Sequence, residues 1–224
     1  MGSFFSEDNP VFRFLGLVTD LILLNLFTLI CCIPVVTGGA ALSAMHYSLL
    51  HLLRGEESYI SRMFFTQFKK NLKSATPLWL LMLVFAGLSW MDIQILRSTD
   101  AAVPQPVRYA FFMLVLLLFM VIQYMMPLVS RYECSLKEYV VQSAVLAVGF
   151  LPRTVLMVLL EAAWALLFVT YWQYLLPLYL LLGFTGPGML RALLYNGIFK
   201  KLEAGLKKPE EEKEEETKEE TEEK

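Results

Sequence analysis

The sequence predicts an all-α polytopic membrane bundle of about six transmembrane helices, with two cytosolic amphipathic helices. Three observations predict it. The 224 residues are 57% hydrophobic, with a mean hydropathy of +0.55, whereas a soluble domain is about 45–50% apolar. Only 18% are charged, and that charge is concentrated. Residues 209–224 hold ten of the 21 acidic residues and three of the 19 basic ones, which leaves residues 1–208 apolar with a net charge of +5. Finally, several apolar runs reach the roughly 20 residues that cross a hydrocarbon core of about 30 Å. A soluble enzyme with a conventional core is ruled out as the leading reading, and a polytopic membrane protein replaces it.

The first run covers 14–36 and is interrupted only by Thr19, Asp20, Asn25 and Thr28. At 1.5 Å per residue, its 23 residues span about 34 Å. The preceding stretch carries Glu7, Asp8 and Arg13, unlike the basic start of a cleaved signal, so the run reads as a retained span. Pro34 and Thr37-Gly38-Gly39 signal a turn. A second span over 38–53 is short, about 24 Å counted from Gly38, so it either tilts little, thins the bilayer, continues past Arg54 or is re-entrant. A full crossing is the expectation.

Residues 59–73 change character. Ile60, Phe64, Phe68 and Leu72 recur every four positions, with Arg62, Thr66, Lys69 and Lys73 on the other side. This pattern predicts a basic amphipathic helix lying in the headgroup region. Spans over 75–96 and 109–129 follow, joined by a connection with Pro104 and Pro106. The next run, 138–151, is too short to cross. Val140, Val141, Ala144, Val145 and Val148 share one face of it, which predicts an interfacial or protein-buried helix.

Pro152 opens a long apolar stretch that must fold back once. The cluster Tyr171-Trp172-Gln173-Tyr174 is the expected place, because Trp and Tyr concentrate at membrane–water interfaces. Spans at 153–170 and 175–199 result, the second kinked by Gly183, Gly186, Pro187 and Gly188 and stopped by Lys200 and Lys201. The Glu-rich tail, 209–224, reads as a solvated extension, disordered or marginally helical. A weak internal echo sets Pro77 against Pro152 and Gln67 against Gln142, which fits a duplication or the plain repetitiveness of hairpins in lipid.

Basic residues set the orientation. Five lie in 54–74; Arg131, Lys137 and Arg153 lie in 130–153, and Lys200, Lys201, Lys207 and Lys208 follow the last span. Only Arg97 and Arg108 oppose them. The positive-inside rule therefore puts both termini in the cytoplasm of a multi-pass membrane protein.

Little in the chain suggests catalysis. Cys31 and Cys32 are adjacent and Cys134 is isolated, so neither a disulfide framework nor a metal site is indicated. His46 and His51 lie about 140° apart on a helix and do not share a face as metal ligands would. No nucleotide-binding or hydrolase motif appears, and no enzyme activity, cofactor or nucleic-acid partner is expected. Ionisable groups inside spans carry more information, because each costs at least about 2.5 kcal/mol at the bilayer centre. Asp20, Asn25, Glu161 and Arg191 form a candidate intramembrane polar network, which serves either structural pairing or a substrate or proton path. Glu161 lies nine residues from Pro152 and Arg191 eight from Phe199. The two are therefore expected to face each other, with Asp20 as a possible third member. Arg62, Lys69, Lys70 and Lys73 are candidates for docking anionic lipid or a cytosolic partner.

The stretch DLILLNLFTLICCIPVVTGGAALSAMHYSLLHLLRGEESYI, followed by FFTQFKKNLKSATPLWLL, closely resembles the YesL family of bacterial membrane proteins, a domain of unknown function. Asp20, Asn25, Pro34, Thr37, Gly39, Arg54, Gly55 and Glu56 stand at the family's motif positions. The resemblance runs from about residue 12 to 200 and is strongest over 15–80. It implies a bacterial inner-membrane protein often encoded beside sugar ABC-transporter and glycan-utilisation genes, and it assigns no activity to any residue. The expected function is that of an accessory or regulatory component of carbohydrate uptake, with ABC-transporter subunits or a cytosolic regulator as partners. The alternative is a small transporter with its substrate path between helical hairpins.

Overall fold

In a membrane the backbone must satisfy its own hydrogen bonds, and an apolar chain does so as helices. The computed structural model describes residues 10–55, 59–98 and 104–222, and no strand occurs among them. Glu7, Asp8, Glu56 and the middle of the 97–108 connection lie outside the described residues. The helices are α1 (Pro10–Cys32), α2 (Gly38–Arg54), α3 (Ile60–Ser98), α4 (Gln105–Arg131), α5 (Leu136–Gly149), α6 (Leu151–Leu182) and α7 (Thr185–Glu222). A 3-10 turn, Val35–Thr37, joins α1 to α2. Four stretches are long and apolar enough to cross a membrane: Val11–Cys32, Ile60–Gln94, Gln105–Arg131 and Leu151–Leu182. The protein is a helical membrane bundle.

Helix α2 is the centre of that bundle. It has 17 residues, of which eleven are buried, Ala40, Ala41, Ala44, Met45, Leu49 and Leu50 completely. Its length is about 25 Å, and protein rather than lipid surrounds it. The Gly38-Gly39 pair, expected to form a turn, instead sits inside the first turn of α2 with ordinary helical backbone at Gly38 (φ −55°, ψ −39°). These glycines allow close approach. A Cβ on Gly39 would lie 2.8 Å from the Ala75 carbonyl oxygen, and one on Gly38 would lie 3.1 Å from the Trp79 ring. The same Trp79 donates from Nε1 to the Val35 carbonyl at 2.7 Å, which locks α3 against the α1–α2 connection. Gly39→Ala should therefore cost about 1–3 kcal/mol through overpacking, read as a lowered melting temperature in detergent. Gly16→Ala, where an added Cβ meets nothing within 4 Å, should not lower it.

Two sequence expectations need correction here. The basic amphipathic segment 59–73 is not a separate surface helix, because α3 runs unbroken from Ile60 to Ser98 through Pro77. Its aromatic underside packs on protein: Ile60 and Phe64 are buried, and Phe27 of α1 lies 5.9 Å from the Phe64 ring and 5.2 Å from the Phe65 ring. Amphipathic period alone does not distinguish lipid from another helix as the apolar partner. In α5, the valine face is not the buried one. Tyr139, Ser143, Leu146 and Ala147 turn inward, while Val141, Val145 and Val148 are 61–67% exposed. That helix is apolar on both sides, so pattern could not choose between them. Its start is set by a capping box, in which Ser135 Oγ accepts from the Glu138 amide and Glu138 returns a bond to the Ser135 amide.

The chain reverses inside α6. Tyr171 has non-helical backbone (φ −119°, ψ 26°), and the Phe168 and Tyr179 rings meet at a tilt, 4.5 Å between centroids. Trp164 and Leu167 face Leu175 and Leu178 across the same crevice. A straight helix would hold Trp164 and Tyr179 about 22 Å apart, so the arms before and after Tyr171 lie side by side. The second arm ends at Gly183–Phe184 and α7 continues from Thr185. Pro152 opens a new helix after Phe150, whereas Pro77 lies within one, so the internal echo has no counterpart in local structure. The Glu-rich tail takes the helical one of its expected forms. Its backbone continues α7 to Glu222, in keeping with the high helix propensity of Glu and Lys.

Candidate functional site

Three polar assemblies hold the helices together, and each joins residues far apart in the chain. The first is ionic. Arg191 of α7 forms a short ion pair with Glu161 of α6 through Nη1. Gln123 of α4 completes it, accepting from the same Arg191 Nη1 at 2.9 Å and donating to Glu161 Oε2 in a second short contact. The Arg191 and Glu161 side chains are 13% and 25% exposed. Pairing inside the bundle answers the desolvation cost that an isolated charge would carry there. Asp20 is not part of this group and takes no hydrogen-bond or ion-pair partner among the described residues; Gln123, which sequence reasoning missed, occupies the third place.

The second assembly centres on Asn25, which joins the α6–α7 break rather than the ion pair. Its Nδ2 donates to the Leu180 carbonyl at 2.8 Å, and its Oδ1 accepts from the Phe184 and Thr185 amides at 2.9 and 3.3 Å. These are the backbone groups that an interruption leaves without helical partners. Thr185 adds a bond from its hydroxyl to the Leu21 carbonyl at 3.0 Å. The break is thus stitched to α1 by one fully buried amide side chain.

The third lies at the basic end of the bundle. Glu203, past the last apolar turn of α7, accepts from both Nη atoms of Arg54 at 3.1 and 3.2 Å and from Arg131 Nη2 at 2.5 Å. Arg54 also donates from Nε to Asn196 Oδ1 at 3.2 Å. The clasp ties the C-terminal ends of α2 and α4 to the middle of α7. Gly55 makes its geometry possible, ending α2 in the left-handed region (φ 68°) that glycine adopts without strain. Burial is the largest single influence on Glu203 and raises its pKa, but the two guanidiniums outweigh it and hold the carboxyl below its ordinary 4.5. A depressed carboxylate stabilises fully above its unfolded pKa and loses that contribution as pH falls through the folded one. Acidifying from pH 7 to about 3.5 should therefore lower the melting temperature. Glu203→Gln, costing about 2 kcal/mol at neutral pH, should show a smaller drop over the same range.

Around this clasp, Arg62, Lys69 and Lys73 are exposed, and Lys70 pairs with Glu133 at 2.8 Å on the surface. That hydrogen bond lowers the pKa of Glu133. His46 and His51 do not form a joint site: His46 Nδ1 bonds Tyr195 Oη at 2.9 Å in the core, and the His51 ring meets that of Tyr47 at a tilt, 4.5 Å between centroids. Among the described residues, no group of three potential metal ligands occurs.

Residues 21–93 match the model of the family described as "Protein of unknown function, DUF624". The YesL-like resemblance read from the sequence holds over that stretch. No curated protein and no solved structure matches the chain. The DUF624 segment covers most of α1 and all of α2, up to Ile93 in α3. Five of the motif positions, Asn25, Thr37, Gly39, Arg54 and Gly55, have structural roles here. Thr37 donates to the carbonyls of Cys31 and Pro34 at 2.7 and 2.9 Å, which closes the α1–α2 connection, and Gly39 admits α3. Asn25 and Arg54 reach from the DUF624 segment into the C-terminal half. Packing and anchorage account for each of them.

Proposed function

We propose that this membrane protein of unknown biochemical activity is a non-enzymatic accessory or regulatory component associated with carbohydrate uptake. In this reading it sits in a bacterial cell membrane with both termini and the basic end in the cytoplasm. The observation that carries the reading is the division of polar groups. Glu161 and Arg191 neutralise each other inside the bundle, while the exposed cations Arg62, Lys69 and Lys73 line a helix whose apolar face is already covered by α1 and α2. A helix held by protein does not need lipid to stay in place, so its basic side is available to a partner. The transport association itself rests on the YesL resemblance.

Co-purification from native membranes tests it: sugar ABC-transporter subunits should accompany the tagged chain. Sugar uptake by liposomes containing only this protein would favour the transporter alternative. Orientation is read by impermeant thiol labelling in intact spheroplasts, where Ser98→Cys should react and Ser3→Cys should not. Replacing Lys69, Lys70 and Lys73 with Gln should leave the 59–73 stretch as protease-resistant as before, because protein packing holds it.

A further inference from the structure

Beside the Glu161–Arg191 pair lies a cavity of about 350 Å³ between the first arm of α6 and the start of α7. Two of its lining side chains, Trp164 and Arg191, each bury a nitrogen donor, Nε1 and Nε, that has no hydrogen-bond partner. An unmet donor in a low-dielectric setting is costly, and finding two on one cavity wall calls for an acceptor between them. Apart from Glu161, which is paired with Arg191, and Tyr179, the rest of the lining is apolar, and its members Phe119, Ala162 and Ala165 are exposed. Gly183 and Pro187, at the α6–α7 break, offer little side chain to fill the space.

We infer that this cavity is a lipid-binding site for a glycerolipid-like amphiphile, whose neutral acceptor oxygen meets Trp164 Nε1–H and Arg191 Nε–H while an acyl chain lies along the apolar wall. Two features select this chemistry. The mouth opens on apolar surface, where the bilayer supplies ligands. Arg191 is already neutralised by Glu161, so the remaining Nε–H favours an uncharged acceptor, such as an ester carbonyl, over an anion. The inference does not depend on the proposed accessory role.

The test is photolabelling with a diacylglycerol carrying a diazirine on one acyl chain, in phosphatidylcholine vesicles containing the full-length protein. Adducts are mapped by mass spectrometry. The expected result is enrichment on peptides covering 158–165 and 183–191 over the exposed apolar face at 112–117. Excess unlabelled diacylglycerol should compete, and its dialkyl ether analogue, which lacks the ester carbonyls, should not. Trp164→Phe, which keeps the ring and removes the donor, should reduce labelling of those peptides at least fivefold. Ala162→Leu, on the exposed rim, should do the same by occlusion without touching the polar pair. Uniform labelling of all exposed apolar faces would overturn the inference, as would equal competition by ester and ether lipids or displacement by a soluble monosaccharide alone.

Discussion

Glu161→Gln and Arg191→Gln, made singly, should each destabilise the protein by about 3 kcal/mol or more, and the double variant by less than the sum. Removing one member of a buried pair strands the other as an uncompensated charge, and that penalty exceeds what the intact pair contributes. Here the two groups are in direct contact and share Gln123 as a common partner, so their energies cannot be independent. Gln123→Leu should cost less than either charge removal, because it leaves the ion pair itself in place. The measurement is a double-mutant cycle scored by melting temperature and by folded yield in detergent. Additive losses would mean that the pair does not couple in the folded protein.

Asn25→Leu should be the next most damaging substitution. The change keeps approximate volume and deletes a donor and an acceptor that together serve Leu180, Phe184 and Thr185. Each buried backbone group left without a partner costs about 1–3 kcal/mol, and no water is at hand in the apolar interior to replace the amide. Asn25→Asp should also fail, since a carboxylate cannot donate to the Leu180 carbonyl. The expected readout is faster amide exchange over 180–186 together with a loss of folded monomer. Exchange there that matches the parent protein would contradict the bracing role.

How much of this was legible in the sequence depended on the kind of signal. Helix existence followed from apolar runs and periods for α1 to α6 and for α7 as far as Phe199, whereas the charged continuation of α7 to Glu222 carries no such signal. The reversal at Tyr171 was legible because aromatic interfacial residues mark where a long run must turn. Glu161 and Arg191 could be matched by counting residues from the ends of neighbouring helices, since helical rise is constant. Gln123 was not legible: it sits in a span as one uncharged polar residue, and only the tertiary arrangement of α4 brings it to the pair. Glu203 was hidden for another reason, lying among the charges that follow the last span and precede an acidic tail, where sequence gives no cue to partners at Arg54 and Arg131. The glycine pair at 38–39 was misread because glycine serves both turns and close approach, and only the position of Trp79 separates the two.

The assignment of the basic end as a cytoplasmic docking surface is tested most directly by site-specific crosslinking in native membranes. A photoreactive amino acid replaces Lys69 in one variant and Asp92 in another, both exposed positions on α3. The account predicts a discrete adduct at position 69 that mass spectrometry identifies as a subunit of a carbohydrate transporter or its regulator, and no such adduct at position 92. Adducts at position 69 with lipid only, or the same protein adduct at position 92, would contradict it.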